Sequence, residues 1–392
     1  MSNAIEFHDV DILFAREGGR AGARALREAL ARLDAGANRT DILSSLQVTV
    51  GVAGANLNVA QGEISVMMGL SGSGKSTLLR AANGLNRVTR GRVLLRDGEA
   101  MVDVATADAA TLRHLRRRRV AMVFQQFALL PWRSVRDNVG FGLELRGESA
   151  TALRTAVDAK LELVGLSQWA DRPVSELSGG MQQRVGLARA FATDADILLM
   201  DEPFSALDPL IRTKLQDELL ALQERVRKTI LFVSHDLDEA LRIGDRISIL
   251  QNGRIVQTGA AQDIVLRPAD DYVSEFVRHM NPLNVLTGEM IMLGLEDAAR
   301  HYALELAPGR DASCRLAGTE RPVLHIDPAA AMSRMTASLE GHVAAVPDSA
   351  SLLELIRLHR ITGLPVLLAG PDGIRGVCGS AEIIRALAGR PA

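Results

Sequence analysis

The stretch GLSGSGKST occupies Gly69–Thr77 and follows the largely apolar segment GEISVMM at residues 62–68. Its spacing matches G-x-x-x-x-G-K-[ST], a loop whose glycines let successive backbone N–H groups point at one phosphate. The segment before it predicts a buried strand, and STLLRAANG at residues 76–84 predicts a helix that ends at Asn83 and Gly84. In such loops the lysine contacts the β- and γ-phosphates and the following hydroxyl ligates Mg²⁺. The predicted nucleotide-binding residues of this loop are Gly69, Ser71, Gly72, Ser73, Gly74, Lys75, Ser76 and Thr77.

Length and composition bound the class of protein. The 392 residues are enough for two or three domains, and 47% hydrophobic with 23% charged residues is ordinary for a globular chain. A formal net charge of -2 gives no reason to expect a global nucleic-acid or membrane binder. The two cysteines, Cys314 and Cys378, predict reduced thiols in a cytoplasmic protein. Because there is no signal-peptide pattern and no run of roughly 20 apolar residues, we expect that the chain itself does not cross a membrane.

Two further segments place polar residues where predicted strands end. ILLMDE at residues 197–202 is an unbroken apolar run followed by Asp201 and Glu202. Asp201 is predicted to bind Mg²⁺ directly or through water, and Glu202 to orient or deprotonate the water that attacks the γ-phosphate. TILFVSHD at residues 229–236 brings His235 to the end of a third apolar strand, where doubly wound sheets gather their sites. The alternative is a pair of solvated carboxylates and a structural histidine.

The segment ELSGGMQQRVGLARAFA at residues 176–192 predicts a second helix start suited to an anion. Ser178 is a good N-cap, and Gly179 and Gly180 permit close approach of a ligand to the backbone. One nucleotide has no evident need for two such loops from one chain. A two-fold dimer explains both, because each site then takes the phosphate loop from one copy and this second loop from the other.

The phosphate loop, LSGGMQQR, ILLMDE, SALD and the SHD histidine, in this order, resemble the ATPase subunit of an ATP-binding cassette (ABC) transporter. The resemblance implies an α/β fold with a mixed sheet core and a helical subdomain at about residues 125–195. It implies that Gln125 contacts Mg²⁺ and the attacking water, and that Asp208 lies in the loop that crosses to the partner. The implied catalytic residues are Glu202, His235, Gln125 and Lys75, the metal ligands Ser76, Gln125 and Asp201, and the cross-dimer nucleotide contacts Ser178, Gly179, Gly180 and Gln182. Phe14 is the candidate for stacking on adenine, with a role in the strand core as the alternative.

An insertion at residues 15–50 narrows the resemblance. It contains ARALREALARLDAG, a helical pattern that ends at Gly36. Together with MGLSGSGKSTLLRAANGLNRVTRG, VAMVFQQFALLPWRSVRDNVGFGLEL and FSALDPLIRTKLQDELLALQ, the insertion resembles ATPases of the quaternary-amine uptake group. The segment ATDADILLMDEPFSALDPLIRTKLQDELLALQ resembles the choline branch most. The match runs from about Ile5 to Leu286. The resemblance implies a homodimer that binds ATP and Mg²⁺ on a membrane permease at the cytoplasmic face of the bacterial inner membrane. Glycine betaine or proline import and a soluble ABC ATPase without a transport role are the alternatives.

Composition bears on the partners of this ATPase. Aromatic residues are only 3% of the chain, too few and too scattered for a quaternary-ammonium cage, so we expect a separate extracytoplasmic binding protein to hold the substrate. The stretch QQFALLPWRSV is a candidate surface for the permease, with Trp132 the residue that we expect to be exposed. Packing of Phe127, Leu129 and Trp132 in the core of the helical subdomain is the alternative. Arginines at positions 113 and 116–119 fit a solvated helix face better than a nucleic-acid patch, and we expect no nucleic-acid partner.

The C-terminal part, residues 287–392, predicts a smaller α+β domain. Its last segment reads helix, strand, turn, strand and helix, with PDG at residues 371–373 as the turn. This pattern resembles one cystathionine-β-synthase (CBS) repeat. The partner repeat, from Glu289 to about Ser338, is degenerate, and a second strand is not identifiable in it. The predicted domains are therefore an ABC ATPase domain at 1–286 and a CBS-like domain at 287–392.

Overall fold

The computed structural model describes residues 2–278, 283, 286–302, 304–306, 313–316, 319–325, 342–371 and 373–388. The chain forms two compact units, Met1–Ala261 and Gln262–Ala392. The division falls earlier than the predicted boundary at residue 286, because Val265 and Leu266 pack against the core of the second unit.

A six-stranded sheet forms the centre of the first unit. Five of its strands run parallel and the sixth, at one edge, is antiparallel. The strands are β3 (Ile64–Met68), β6 (Val120–Val123), β7 (Ile197–Asp201), β8 (Thr229–Val233), β9 (Arg246–Gln251) and β10 (Arg254–Gly259), in the order β10-β9-β3-β8-β7-β6. The three predicted strands β3, β7 and β8 are confirmed, and each is buried along its whole length. Since β8 lies between β3 and β7, their carboxyl ends meet at one edge of the sheet.

A four-stranded antiparallel sheet lies beside this core. It consists of β1 (Asn3–Ala15), β2 (Val48–Ala60), β4 (Arg90–Asp97) and β5 (Ala100–Asp103), in the order β2-β1-β4-β5. Helix α3 (Lys75–Ala82) buries Leu78 and Leu79 in a core shared by both sheets. The helix ends at Asn83 and Gly84 as predicted, because Gly84 has a φ of 68°, a left-handed conformation that glycine adopts without strain.

The insertion between β1 and β2 folds as two helices, α1 (Gly19–Asp34) and α2 (Arg39–Leu46). Helix α1 is the predicted one, and the chain turns at Gly36 with a φ of 86°. Helix α2 lies outside the prediction and starts at the N-cap Asn38, whose side chain accepts a hydrogen bond from the Asp41 N–H. Both helices cover one face of the β1–β2 ribbon with Ala29, Leu33 and Ile42 packed on Leu13, Val48, Val50 and Ala53.

The remaining helices of the first unit complete the layers around the parallel sheet. They are α4 (Ala109–Arg118), α5 (Val135–Arg146), α6 (Ala150–Leu163), α7 (Gly179–Ala192), α8 (Pro209–Val226) and α9 (Leu237–Ile243). Helices α5, α6 and α7 pack on one another and form the helical layer between β6 and β7 in the chain. Short 3-10 turns at Ser167–Trp169 and Val174–Glu176 lead into α7.

The second unit contains a seven-stranded sheet with helices. Its strands are β11 (Leu293–Gly294), β12 (Leu304–Leu306), β13 (Ser313–Leu316), β14 (Thr319–His325), β15 (Val343–Pro347), β16 (Val366–Gly370) and β17 (Gly373–Cys378), in the order β11-β17-β16-β15-β14-β13-β12. Its helices are α10 (Ala261–Leu266), α11 (Asp271–Arg278), α12 (Gly288–Ile291), α13 (Leu295–Tyr302), α14 (Leu352–Thr362) and α15 (Ser380–Leu387). The predicted order of helix, strand, turn, strand and helix is confirmed in α14, β16, β17 and α15.

The first half of this unit is less completely described. Strands β12, β13 and β14 form an antiparallel meander that continues the sheet. Part of the predicted degenerate repeat, including residues 326–338, lies outside the described residues, as does the side chain of Cys314. Cys378 is buried, and burial raises the pKa of its thiol to about 12. Among the helices that the structure describes, none combines the length and apolar character needed to span a bilayer.

Candidate functional site

The phosphate loop connects β3 to α3 in a conformation that requires glycine. Gly69 has a φ of 143°, and a Cβ at this position would lie 2.1 Å from the Leu250 carbonyl oxygen. Gly74 has a φ of 103°, and its Cβ would lie 2.4 Å from the Gly51 carbonyl oxygen. Any side chain at either position would therefore displace the neighbouring backbone. The loop residues Ser71 and Gly72 are exposed, whereas Ser73 is buried.

Lys75 is buried against its own loop. Its Nζ donates hydrogen bonds to the carbonyl oxygens of Gly69, at 2.7 Å, and Leu70, at 3.0 Å. Burial lowers the pKa of the ammonium group, while the charges of Glu202 and Asp201 act in the opposite direction. The loop carbonyls thus take two of the three N–H donors of the ammonium group that the sequence assigns to phosphate.

Asp201 lies at the end of β7 with its carboxylate fully buried. One oxygen, Oδ1, accepts a hydrogen bond from the Ser76 hydroxyl at 2.6 Å, and the other, Oδ2, accepts one from the Arg80 guanidinium at 2.9 Å. Arg80 was not part of the sequence prediction. Its only sequence signal is its position one helical turn after Ser76, on the same side of α3. The structure therefore joins two of the three predicted metal ligands, Ser76 and Asp201, directly.

Glu202, Gln125 and His235 form a second cluster beside Asp201. The Glu202 Oε2 atom lies 3.1 Å from the Gln125 Nε2 atom and 3.2 Å from the His235 Nδ1 atom. Glu202 has a φ of 49°, in the left-handed region that non-glycine residues rarely adopt. The cluster therefore brings together three of the four predicted catalytic side chains, at the carboxyl edge of the sheet where Lys75 also lies.

These oxygens suit Mg²⁺ together with a nucleotide. Mg²⁺ in proteins commonly takes one or two carboxylates and completes its shell with substrate phosphates and water. Asp201 and the Ser76 hydroxyl supply two oxygens, and the Gln125 amide has its oxygen left when its Nε2 donates to Glu202. Within the described ranges, no group of three or more His, Cys, Asp or Glu side chains is arranged to hold a metal. The oxygens of Asp201, Ser76 and Gln125 fit a magnesium ion that shares its coordination with phosphates.

Phe14 lies near the phosphate loop on β1. Its side chain is 43% exposed, and its Cε2 atom would lie 3.0 Å from a Cβ built on Gly51. The same Cβ would lie 3.0 Å from the Cγ2 atom of Thr77, so Phe14 and the first turn of α3 both lie beside Gly51. The exposed ring is therefore available for stacking on a base. Its exposure argues against the alternative, a role in the strand core.

The segment LSGGMQQR at residues 177–184, called here the signature segment, leads into helix α7. Ser178 is the N-cap and accepts a hydrogen bond from the Met181 N–H at 3.4 Å, while Ser178 and Gly179 remain exposed. In the described residues no hydrogen bond or ion pair joins this segment to the phosphate loop of the same chain. Gln182 donates its amide to the Leu177 and Val174 carbonyl oxygens, at 3.0 and 3.2 Å, so that its Nε2 atom supports the turn before the helix.

Gly180 and Asp208 connect this region to the loop after Glu202. A Cβ on Gly180 would lie 3.3 Å from the Ala206 carbonyl oxygen, so glycine allows α7 to approach that loop. Asp208 is exposed and is the N-cap of α8, where its carboxylate accepts a hydrogen bond from the Ile211 N–H at 3.0 Å. Gly180 and Asp208 thus lie where the start of α7 meets the loop at residues 205–208.

Two side chains of α7 were missed by the sequence reading. Gln183 is buried and bonds to the backbone of Glu202 and Ala206. Arg189 donates to the Ala128 carbonyl oxygen at 2.7 Å and to the Phe127 carbonyl oxygen at 2.9 Å. Phe127 and Ala128 have φ values of 60° and 48°, two successive left-handed residues shortly after Gln125. The only sequence signal is that Gln183 and Arg189 are polar residues within a largely apolar stretch of α7.

Comparisons with known proteins point to one class, the ATP-binding proteins of transport systems. Residues 52–205 match the ABC transporter family. The glycine betaine/proline betaine transport system ATP-binding protein ProV of Escherichia coli (strain K12) is 52% identical over 259 residues, 66% of this chain and 64% of ProV. The chain thus spans slightly less than two thirds of ProV. The glycine betaine transport ATP-binding protein OpuAA of Bacillus subtilis (strain 168) is 40% identical over 376 residues, 93% of this chain and 89% of OpuAA.

A solved structure supports the architecture of the first unit. The dimeric post-hydrolysis state of the ATP-binding cassette MJ0796, bound to ADP and Pi, matches with a TM-score of 0.55 and 28% identity. The match covers 66% of this chain and 98% of that chain.

Proposed function

This chain belongs to the family of ABC transporter ATP-binding proteins that includes those of glycine betaine transport, and we propose that it hydrolyses ATP to drive uptake of a quaternary amine. The observation that carries the proposal is the meeting of Lys75, Asp201, Glu202 and His235 at one edge of the parallel sheet. Binding alone needs the phosphate loop, whereas hydrolysis also needs a carboxylate placed to accept a proton from water.

The proposed reaction uses the chain's own groups as follows. The loop N–H groups and Lys75 hold the phosphates, with the Lys75 Nζ placed beside them by the Gly69 and Leu70 carbonyls. Glu202 accepts a proton from the attacking water, while Gln125 and His235 fix the orientation of its carboxylate through Oε2. Ser76, Asp201 and Gln125 would hold Mg²⁺, whose positive charge stabilises the developing charge on the transferred phosphoryl group.

We propose that two copies build each complete ATP site. Ser178, Gly179 and Gly180 are exposed or half-exposed at a helix start, and in the part of the chain that the structure describes they make no hydrogen bond or ion pair to the phosphate loop. The helix start carries the N–H groups and partial positive charge that suit the γ-phosphate of a nucleotide bound to the partner. The dimeric cassette that resembles the first unit supports this arrangement.

The partners follow from the same family membership. We propose that the dimer docks on a membrane permease at the cytoplasmic face of the bacterial inner membrane and that a separate extracytoplasmic protein binds the substrate. Trp132 follows the segment that holds Gln125, and its side chain is 77% exposed. It is therefore the candidate contact to the permease. A large exposed aromatic ring is typical of interface anchors.

For the substrate, the relatives favour glycine betaine over choline. ProV is named for glycine betaine and proline betaine, and OpuAA for glycine betaine. The predicted choline preference has no support from these relatives and stays a prediction, which the uptake experiment described below tests.

For the second unit we propose a CBS-like fold, with support from the order of α14, β16, β17 and α15. We propose that it either stabilises the dimer or senses ionic strength or a nucleotide.

Uptake of labelled glycine betaine and choline by cells with and without this protein tests the substrate. Loss of glycine betaine uptake, with activation by external salt, is the expected result and would favour a sensing role for the second unit. Loss of choline uptake alone, at every external salt concentration, would instead establish choline as the substrate.

A second experiment tests the class of protein. Co-purification with a membrane permease is expected, and purification without one, together with full ATPase activity, would favour a soluble ABC ATPase. Replacing Ser178→Arg should abolish ATPase activity of the dimer and leave ATP binding to each chain intact.

A further inference from the structure

Helix α7 carries a buried glutamine that reaches the catalytic loop of its own chain. Gln183 is 1% exposed; its Nε2 donates to the Glu202 carbonyl oxygen at 3.1 Å, and its Oε1 accepts from the Ala206 N–H at 3.0 Å. We propose that Gln183 is a positioning residue that holds Glu202 of the same chain in its reactive orientation. The inference rests on the proposed function, in which the start of α7 serves the nucleotide of the partner.

The amide of Gln183 has one possible orientation. A backbone N–H can only donate and a backbone carbonyl can only accept, so the side-chain oxygen must face Ala206 and the nitrogen must face Glu202. Ser205 also donates to the Glu202 carbonyl oxygen, through its N–H at 3.3 Å and its hydroxyl at 3.0 Å. Ser205 belongs to the same loop and moves with it. Gln183 is the donor from another element and fixes the loop relative to the helical layer.

Glu202 needs such external support because of its backbone conformation. A φ of 49° is sparsely populated by residues with a side chain and persists only when the surroundings determine it. The Glu202 N–H donates to the Val233 carbonyl oxygen at 3.1 Å, which fixes one side of the residue to β8. Gln183 fixes the carbonyl on the other side. The two contacts together set the direction in which the carboxylate leaves the backbone.

The expected effect is on chemistry rather than on nucleotide affinity. The Glu202 Oε2 atom meets Gln125 and His235 at hydrogen-bond distances, and a shift of the backbone would separate these groups. A displacement of about 1 Å at a reacting group can cost about 100-fold in rate. The phosphate loop makes no described hydrogen bond to Gln183, so ATP affinity should stay unchanged.

Mixed dimers of differently tagged full-length chains, assembled with the permease, test the proposal. One subunit carries Glu202→Gln, so that single-turnover hydrolysis reports only the site whose Glu202 is intact. Gln183→Met, which keeps the length of the side chain without its polar atoms, is placed either in the intact subunit or in the Glu202→Gln subunit. We expect hydrolysis to slow by about 10- to 100-fold in the first arrangement and to change by less than about threefold in the second.

Each mixed dimer contains one Gln183→Met subunit, so a general loss of stability affects both arrangements equally. An equal loss in both, a larger loss in the second, or no loss in either would overturn the proposal. As a matched control we use Gln223→Met, because Gln223 donates to the Gly62 and Lys228 carbonyl oxygens at the far end of α8. This variant should lower thermal stability and leave single-turnover hydrolysis unchanged.

The same dimers separate this inference from the two-chain site. Ser178→Arg in the Glu202→Gln subunit should stop hydrolysis at the intact subunit, because that helix start faces its nucleotide. If hydrolysis continues, the two-chain site is wrong. The comparison of the two Gln183→Met arrangements is a separate measurement and decides the role of Gln183 alone.

Discussion

The central prediction concerns the proton acceptor. Replacing Glu202→Gln keeps the shape of the side chain but removes the group that can accept a proton from water. Removing a general base lowers a rate by about 10²- to 10⁴-fold, which corresponds to about 3–5 kcal/mol of activation free energy. We expect a loss in this range, because the Glu202 Oε2 atom is the shared partner of Gln125 and His235 and neither of these replaces it.

Folding and ATP binding should survive this change. The backbone of Glu202 is held by hydrogen bonds to Val233 and Gln183 that do not involve the carboxylate. Asp201 keeps its contacts to Ser76 and Arg80. The variant should therefore bind ATP with nearly unchanged affinity and accumulate as an ATP-bound dimer.

Single-turnover ATP hydrolysis and equilibrium ATP binding, both with the permease present, measure the two expectations separately. The control is Glu28→Gln on α1, where an exposed carboxylate pairs with Arg32 at 2.7 Å away from the described site contacts. Hydrolysis by Glu202→Gln within about threefold of the unmodified protein, with ATP binding intact, would refute the role of Glu202 as base.

A double variant checks the geometry of the same cluster. His235→Ala should slow hydrolysis on its own, because the His235 Nδ1 atom lies 3.2 Å from the Glu202 Oε2 atom. Groups that act as one unit give strongly non-additive effects. Adding His235→Ala to Glu202→Gln should therefore cause little further loss. Fully multiplicative losses would mean that the two residues act independently.

Three further predictions concern other parts of the first unit. Arg189→Leu removes charge-assisted hydrogen bonds to the carbonyl oxygens of Phe127 and Ala128 and should lower the free energy of unfolding by about 1.5–3 kcal/mol, measured by denaturant titration. Phe14→Ala should raise the Kd for ATP about 10-fold with little change in Tm, because the exposed ring would lose its stacking partner. Burial raises the pKa of Glu63, so its folded form keeps a proton that the unfolded form releases at lower pH. The contribution of Glu63 to the free energy of unfolding is present at low pH and is lost as the pH rises from the ordinary glutamate pKa near 4.5 through the raised pKa. Glu63→Gln should remove this pH dependence when the free energy of unfolding is measured against pH.

Each of these has a contrary outcome. Arg154→Leu, on the exposed face of α6, is the control for Arg189→Leu, and equal effects of the two would remove the special role of Arg189. An unchanged Kd in Phe14→Ala would place the base elsewhere. An unchanged pH slope in Glu63→Gln would show that another group titrates in this window.

The strands and the phosphate loop could be predicted because their signals are local. Short, largely apolar segments mark β3, β7 and β8, and the loop is defined by the spacing of glycine, lysine and hydroxyl within nine residues. Parallel strands in one sheet bring their carboxyl ends to the same edge. The sequence thus predicted that Asp201, Glu202 and His235 lie at that edge, whereas their proximity depends on β8 being the neighbour of β7.

The tertiary structure decided the contacts between elements. Arg80 reaches Asp201 across 121 residues of chain, and Gln183 reaches the Glu202 backbone from another helix. No local pattern encodes such pairs, because helical spacing shows which face is polar but not which backbone group it meets. Lys75 likewise bonds to the carbonyls of its own loop, a geometry that depends on the left-handed glycines and the neighbouring strand β9. The amino-acid sequence determined which chemical groups this protein holds, and the packing of its layers determined which of them touch, since contact depends on three-dimensional distance and not on separation along the chain.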